Sequence, residues 1–238
     1  MLCLQYTEAM AIAQEPHPTS RQECALHGRK PSLRERKRLR TRQALIDAAV
    51  DLFDRQGYDE TTIAEIADAA DVSARTFFSY FASKEEILFP DSASRVQLAV
   101  DAIDARGPDD RPVDVLLRAL QHVGEVDTDM VSRMAAVRMR LVLEVPAVRG
   151  RGLQILFSAQ RDMARHLQAA FPDQLDEISA AALVGAMVGA ISSALAALFD
   201  DPEQAKETLS ENPDHMKGQI ARAAQIALGP WIAGPGVP

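Results

Sequence analysis

Nine of the chain's 26 Lys and Arg residues fall between positions 21 and 42: Arg21, Arg29, Lys30, Arg34, Arg36, Lys37, Arg38, Arg40 and Arg42. Only Glu23 and Glu35 oppose them, so the window carries +7. Such a cluster suits a polyanion, because each cation that neutralises a phosphate releases a condensed counterion. A solubilising basic tail is the other reading. Arg75, in the polar run Ser73-Ala74-Arg75-Thr76, is the second candidate. A guanidinium on a short helix can bond bidentately to guanine O6 and N7, for about 1–3 kcal/mol of discrimination. A phosphate contact or a solvated side chain stays open for it. Other chemistries find no constellation. His17, His27, His122, His166 and His215 lack metal-ligand spacing, and the two cysteines, Cys3 and Cys24, support neither a disulfide framework nor a four-ligand zinc site. There is no Gly-rich phosphate loop after a strand and no nucleophile elbow. No catalytic residue, metal or cofactor is expected, and the chain does not read as an enzyme.

The elements that must position these residues are helical. The 238 residues are 47% hydrophobic, 25% charged and only 5% aromatic, the balance of a globular chain poor in strand formers. Net charge is −8, and the residues from Gln43 onward carry −13, so a basic head precedes an acidic body. Residues 1–31, with Pro16, Pro18, Gly28 and Pro31, read as a disordered basic arm whose start is either Met1 or Met10. The opening has no signal-peptide pattern, and a reducing cytoplasm fits best. Order is expected from Ser32, which with Glu35 forms a capping box before a helix carrying Leu33, Leu39, Leu45, Ile46, Ala49, Val50 and Phe53 to Gly57. Thr62 and Glu65 box a second helix ending near Ala70, and Ser73 caps a third to about Phe81. Ser83 and Glu86 open a fourth, running to Gly107. Longer helices follow from Pro112 to about Gly124, Asp127 to Val145, Pro146 to Phe171, Pro172 or Asp173 to Phe199, and about 202 to 228 with a break near Asn212-Pro213. The tail from Gly229 is too rich in Gly and Pro to continue a helix. The expected fold is all-α: an N-terminal three-helix domain over 32–82, a helical body over 83–228 and a flexible tail over 229–238.

Two short helices joined by a tight turn and preceded by a basic helix form the arrangement that enters the DNA major groove. Ala67 is small where the helices cross, Asp71 occupies the turn, and Val72 and Phe77 face the core. The stretch Thr61-Thr62-Ile63-Ala64-Glu65-Ile66-Ala67, followed by Val72-Ser73-Ala74-Arg75-Thr76-Phe77-Phe78-Ser79-Tyr80-Phe81-Ala82-Ser83-Lys84-Glu85-Glu86, resembles the TetR family of one-component bacterial transcriptional regulators. The resemblance covers roughly 50 residues from Leu33. It implies that Thr62, Thr76, Tyr80 and Lys84 hold the phosphate backbone and that Ala74, Arg75 and Ser79 lie where bases are read. Phe78 stands where the family often has tyrosine, which loses a phosphate contact and points to packing; Asp71 replaces a frequent glycine. Arg29, Lys30, Arg34, Arg38 and Arg42 are expected to add phosphate contacts.

The resemblance implies that the body dimerises through its last two long helices and encloses a ligand cavity. Ala182, Gly185, Ala186, Gly189, Ala190 and Ser193 form a small-residue stripe in the uncharged segment Ile178–Phe199, suited to close helix approach across a homodimer. Burial in a monomer core is the alternative, and both are preferred to a membrane span because acidic residues flank the segment. Phe89, His122, Met134, Arg138, Met139, Phe157 and Arg161 are ligand-contact candidates, each also readable as core or surface. The run Arg138–Val148 resembles an actinobacterial subgroup that includes mycofactocin-type regulators, described as binding acyl-coenzyme A-like ligands. Arg133, Arg138 and Arg140 could equally pair with Glu144 and the acidic helix faces. The reading is therefore a ligand-responsive homodimeric repressor on a palindromic double-stranded DNA operator. The alternatives are an acyl-thioester or lipid-binding helical protein whose arm meets another anionic partner, and a sequence-blind DNA-compacting protein.

Overall fold

The computed structural model describes residues 32–201, 208, 209 and 212–232, and all regular structure among them is helical. The expected arm, with Arg29 and Lys30, lies outside the described residues. The chain divides after Arg40, within its first helix, into two units. Of the first, residues 32–40 are described. The Ser32 hydroxyl accepts from the Glu35 amide at 3.2 Å and the Glu35 carboxylate accepts from the Ser32 amide at 2.6 Å, completing the expected box. These bonds hold the Glu35 carboxyl below the usual range. Leu33 and Leu39 were expected on a buried stripe but are exposed, as are Arg34, Arg36, Lys37, Arg38 and Arg40.

Helix α1 (Leu33–Gln56) continues into the second unit, where it buries Leu45, Ile46, Ala49, Val50, Leu52 and Phe53. Gly57 ends it with φ +85°, a left-handed conformation that glycine adopts without a Cβ clash. Helices α2 (Ile63–Ala69) and α3 (Ala74–Phe77) follow, then α4 (Ser92–Asp104), α5 (Pro112–Val126), α6 (Arg133–Glu144), α7 (Pro146–Ala170), α8 (Glu177–Leu198) and α9 (Pro213–Ile232). One core cluster joins α4, α5, α7, α8 and α9 around Ile103, Leu116, Leu167, Phe171 and Leu183. A second joins α1, α2 and α3 to α6 through Phe53, Ile66, Phe77, Met134, Val137 and Leu141. The helix-turn-helix therefore shares its core with α6.

Several boundaries differ from expectation for local reasons. The helix expected over Ser83 to Gly107 is a 3-10 turn at Glu86–Leu88 followed by α4, because Pro90 lacks an amide donor and Asp91 sits at φ +59°. The Ser83 hydroxyl accepts from the Glu86 amide at 3.3 Å, but the Glu86 carboxylate accepts from the Ala82 amide at 2.7 Å, so the expected box forms only in half. The helix expected from Asp127 is likewise split. Asp127 caps a short 3-10 turn, Thr128–Val131, and Ser132 caps α6. The cap of α8 is Asp176, not Pro172 or Asp173. Helix α9 passes through Gly229 and Pro230 to Ile232, correcting the start of the tail, and Trp231 in its last turn packs on the larger core.

Candidate nucleic-acid interface

The Thr62 hydroxyl and Glu65 carboxylate close a reciprocal capping box on α2. Those bonds hold the Glu65 carboxyl below the usual range. Ala67, fully buried, lets α2 and α3 cross closely, and its carbonyl accepts from the Val72 amide at 2.9 Å. Asp71 takes φ +55°, a left-handed turn that Asp tolerates better than most residues. The Ser73 hydroxyl accepts from the Thr76 amide at 3.2 Å and starts α3, which ends at Phe77 before a series of tight turns, not at Phe81.

Phe77 anchors this segment at 0% exposure while Ala74, Arg75, Phe78 and Ser79 face solvent. Arg75 has no hydrogen-bond or ion-pair partner among the described residues. The other resemblance-derived positions have local duties. Thr62 and Thr76 bond within their caps, and Ser79 Oγ donates to the Thr76 carbonyl at 2.6 Å. Tyr80 is half-buried. Lys84 donates to the Tyr58 and Thr61 carbonyls at 2.7 and 2.9 Å, with its Nζ 4.0 Å from the Tyr58 ring centroid. It pins the loop between α1 and α2 and leaves one N–H for any phosphate. Tyr58 in turn donates to Glu85. Burial pushes the Tyr58 phenol up, reinforced by that carboxylate, while burial of Glu85 is outweighed by bonds from Tyr58 and Ser83, which hold its carboxyl low. Arg42 is paired to Asp91 at 3.0 Å and lies over the Phe81 ring.

Phe78 corrects the sequence reading. It is 55% exposed, touching Phe77 edge-on, and does not pack inward. A bulky apolar group stands in the middle of the exposed face at α3, and the signal that could have found it is its place three residues after Arg75 and one after a buried aromatic.

The arginines of α6 do not meet Glu144. Arg133 pairs with Asp51 and Asp54, Arg140 with Asp54 at 3.2 Å, and Arg138 with Asp129 at 2.7 Å while donating to the Leu88 carbonyl at 3.1 Å. Arg95 of α4 also pairs with Asp127 and Asp129. Burial of Asp129 raises its carboxyl, but Arg138 and Arg95 outweigh that and hold it below the usual range. These contacts tie α6 to the first helix and, through the Leu88 carbonyl, to the 3-10 turn before α4.

The ligand candidates do not come together. Met134 belongs to the helix-turn-helix core with Phe89 at its edge, Met139 borders a third small cluster, Arg138 is engaged in the ion network, and His122, Phe157 and Arg161 are exposed. An open cleft of about 500 Å³ lies instead between α5 and α9, lined by Leu120, Gly124, Met130, Val131, Gly218 and Ile220, with Glu125, Asp127, Asp214 and Lys217 around them. The small-residue stripe divides. Ala182, Gly189 and Ser193 face solvent, Gly185 is half-exposed over open space, and Ala186 and Ala190 are half-buried, Ala186 packed on the larger core. Ile178 at 80% and Ile226 of α9 at 69% are also exposed. Helix α8 is long and apolar enough to cross a membrane by length and composition, yet only Ala180, Leu183, Val184 and Met187 are buried in the single chain.

Residues 45–89, which span α1 to the 3-10 turn, match the domain described as bacterial regulatory proteins, tetR family. The transcriptional regulator TcmR of Streptomyces glaucescens is 34% identical over 154 residues, covering 62% of this chain and 67% of that protein. The chain belongs to the TetR family. A Mycobacterium tuberculosis protein named as a mycofactocin biosynthesis transcriptional regulator is 32% identical over 114 residues, 47% of this chain and 56% of its own. Among solved structures, a TetR-family regulator from Syntrophomonas wolfei aligns with a TM-score of 0.56 at 15% identity, over 83% of this chain and 100% of that one. The fatty acid degradation regulator FadR from Bacillus halodurans aligns at 0.51 with 16% identity, over 84% and 97%. Both share the fold. Family membership makes the chain a DNA-binding transcriptional regulator and not an enzyme.

Proposed function

We propose that this TetR-family regulator is a homodimeric repressor that reads a palindromic operator and releases it when a small apolar molecule occupies its helical body. The observation that carries the reading is the solvent face at α3: Arg75, without a partner among the described residues, beside Ala74, Phe78 and Ser79, on a turn set by Ala67 and Phe77. Arg75 reads guanine through two parallel hydrogen bonds, and Phe78 lies against a thymine methyl, an apolar contact on the major-groove edge. Two such faces are needed, because half-sites recur about 34–36 Å apart on one side of B-DNA. The exposed stripe on α8 and Ile226 on α9 supply a self-complementary apolar surface for a symmetric pair. That surface, and not a bilayer, accounts for the apolar character of α8, consistent with a cytoplasmic protein.

The apolar cleft between α5 and α9 is the best-shaped ligand position, and it borders a helix of the proposed dimer face. Its rim favours an uncharged apolar molecule over an acyl-coenzyme A, whose phosphates would face Glu125, Asp127 and Asp214 with Lys217 the one cation among the lining residues. Release follows if the ligand prefers a dimer whose reading faces no longer match successive grooves. The test is a gel-shift titration on the DNA upstream of the chain's own gene and on promoter fragments, with excess unrelated competitor. Arg75→Ala should weaken the specific complex about 30-fold or more, because each of the two half-sites loses about 1 kcal/mol at the least. Arg75→Lys should not restore it, because a single ammonium lacks the fork geometry. Equal affinity of Arg75→Ala and the parent would refute this reading. Uncharged long-chain lipids and acyl-coenzyme A are then compared as releasing agents.

A further inference from the structure

The segments that flank the helix-turn-helix in sequence, residues 57–61 before α2 and Lys84-Glu85 after α3, are bonded to each other. Within the first segment the Gly57 carbonyl accepts from Thr61 Oγ at 2.7 Å, the Tyr58 carbonyl from the Thr61 amide at 3.2 Å, and the Glu60 carbonyl from Gln56 at 3.3 Å. Those donors come from the loop itself and the end of α1. Lys84 adds a tie from the far side of α3, reaching back 26 positions to the Tyr58 carbonyl and 23 to the Thr61 carbonyl. Glu85 beside it accepts from the Tyr58 hydroxyl. Tyr58 is only 6% exposed and its ring lies against Phe53 of α1, centroids 5.4 Å apart, so both ties end on a residue anchored in the core.

The family resemblance gives Lys84 a phosphate, yet its ammonium is already engaged. Two of its three N–H groups end on carbonyls, the Tyr58 ring stands 4.0 Å from Nζ, and the Lys84 charge helps to hold the Glu85 carboxyl low. Drawing Nζ away to a phosphate would take a charged donor from both loop carbonyls, the stronger kind of hydrogen bond to lose. Thr62, next in the chain, caps α2. In a helix-turn-helix that helix crosses the DNA backbone, so a shift of the loop moves the start of α2 with it. We propose that Lys84 is a positioning residue for DNA binding: its ammonium staples the loop before α2 to the segment after α3, fixes how α2 is presented, and does not serve as a phosphate cation. The proposal rests on the DNA binding that family membership establishes and is independent of Arg75 as base reader.

The test titrates the full chain and two variants onto a labelled mixed-sequence duplex by fluorescence anisotropy over a range of salt, and follows hydrogen exchange of the same proteins without DNA. Lys84→Met keeps an apolar stem and removes the ammonium. Thr61→Val is nearly isosteric, changes no charge, and removes the tie to the Gly57 carbonyl. In both, amides of residues 58–66 should exchange about tenfold faster or more, with α5 and α7 unchanged. DNA affinity should fall about threefold or more in both, while the plot of log affinity against log salt stays parallel to the parent's. A phosphate contact predicts otherwise: Lys84→Met would flatten that slope by about 0.9 for each contact removed, and Thr61→Val would bind as the parent does. Circular dichroism checks folding; if Lys84→Met does not fold, Lys84→Gln, which keeps an uncharged donor, is read by the same slope. A flattened slope in the Lys84 variant, parent-like DNA affinity in either variant, or unchanged loop exchange in the Lys84 variant would overturn the proposal.

Discussion

Arg75 and Phe78 are the two residues to which the proposed function gives the recognition chemistry; both are exposed, and the sequence showed the one far more plainly than the other. Arginine on a short helix after a capped turn announces itself by type and position. Phe78 did not, because a phenylalanine in place of tyrosine reads as packing, whereas Phe77 already fills the buried slot and forces its neighbour outward. If Phe78 covers a thymine methyl, replacing operator thymines by deoxyuridine should weaken the parent about 3- to 10-fold, near the ~0.8 kcal/mol of a buried methylene or a little above. Phe78→Ala should be insensitive to the same replacement in a fluorescence-anisotropy titration; equal sensitivity in both would remove Phe78 from the reading face. Asp129 sets the corresponding stability term. Its folded carboxyl titrates below its unfolded value near ~3.9, so its contribution is fully present above that pH and is lost as pH falls through the lower, folded value. Asp129→Asn leaves Arg138 and Arg95 short of a counter-charge, which should cost about 3 kcal/mol at pH 7. The difference from the parent should shrink below pH 4 in urea titrations. A constant difference down to pH 2 would mean that the charge of Asp129 does not stabilise the fold.

At the scale of elements, capping chemistry was the most legible signal. The boxes at Ser32 with Glu35 and Thr62 with Glu65 form as their spacing requires, and Ser73 starts α3. Where the sequence misled, a second local preference competed: Pro90 and Asp91 broke the expected fourth helix, and Ser132 outbid Asp127 as the cap of α6. The ligand candidates were the least legible, because an Arg or Met in an amphipathic helix has no pattern that separates core, ion pair and cavity wall. Helix α8 lies between these cases. Its small residues were plain, but only the structure separates the exposed Ala182, Gly189 and Ser193 from the half-buried Ala186 and Ala190. A Cβ at Gly189 would meet nothing in the single chain, so Gly189→Glu should leave the protomer folded. In a symmetric pair it places two carboxylates in an apolar interface. Light scattering should then report a monomer with unchanged helix content, and a dimer as stable as the parent's would place the interface elsewhere.

For the whole molecule, the sign of the charge is arranged to match the division of labour: +7 between residues 21 and 42, and −13 from Gln43 onward. In the proposed function the basic N-terminal region would draw the protein to DNA without sequence preference, and the exposed face of α3 would convert that attraction into a choice of site. On the same proposal the acidic body would keep the rest of the surface off the phosphates. Family membership establishes DNA binding; what distinguishes an operator-reading dimer from a sequence-blind binder is the pattern of sites taken from a genome. The most direct measurement is selection of bound fragments from a sheared genomic pool in excess competitor, by the parent and by Arg75→Ala side by side. An operator-reading dimer should enrich a few fragments sharing two inverted half-sites centred about one helical turn or a multiple apart, and Arg75→Ala should lose that enrichment while still binding bulk DNA at low salt. Enrichment spread evenly over the genome, or an identical motif recovered by Arg75→Ala, would contradict it.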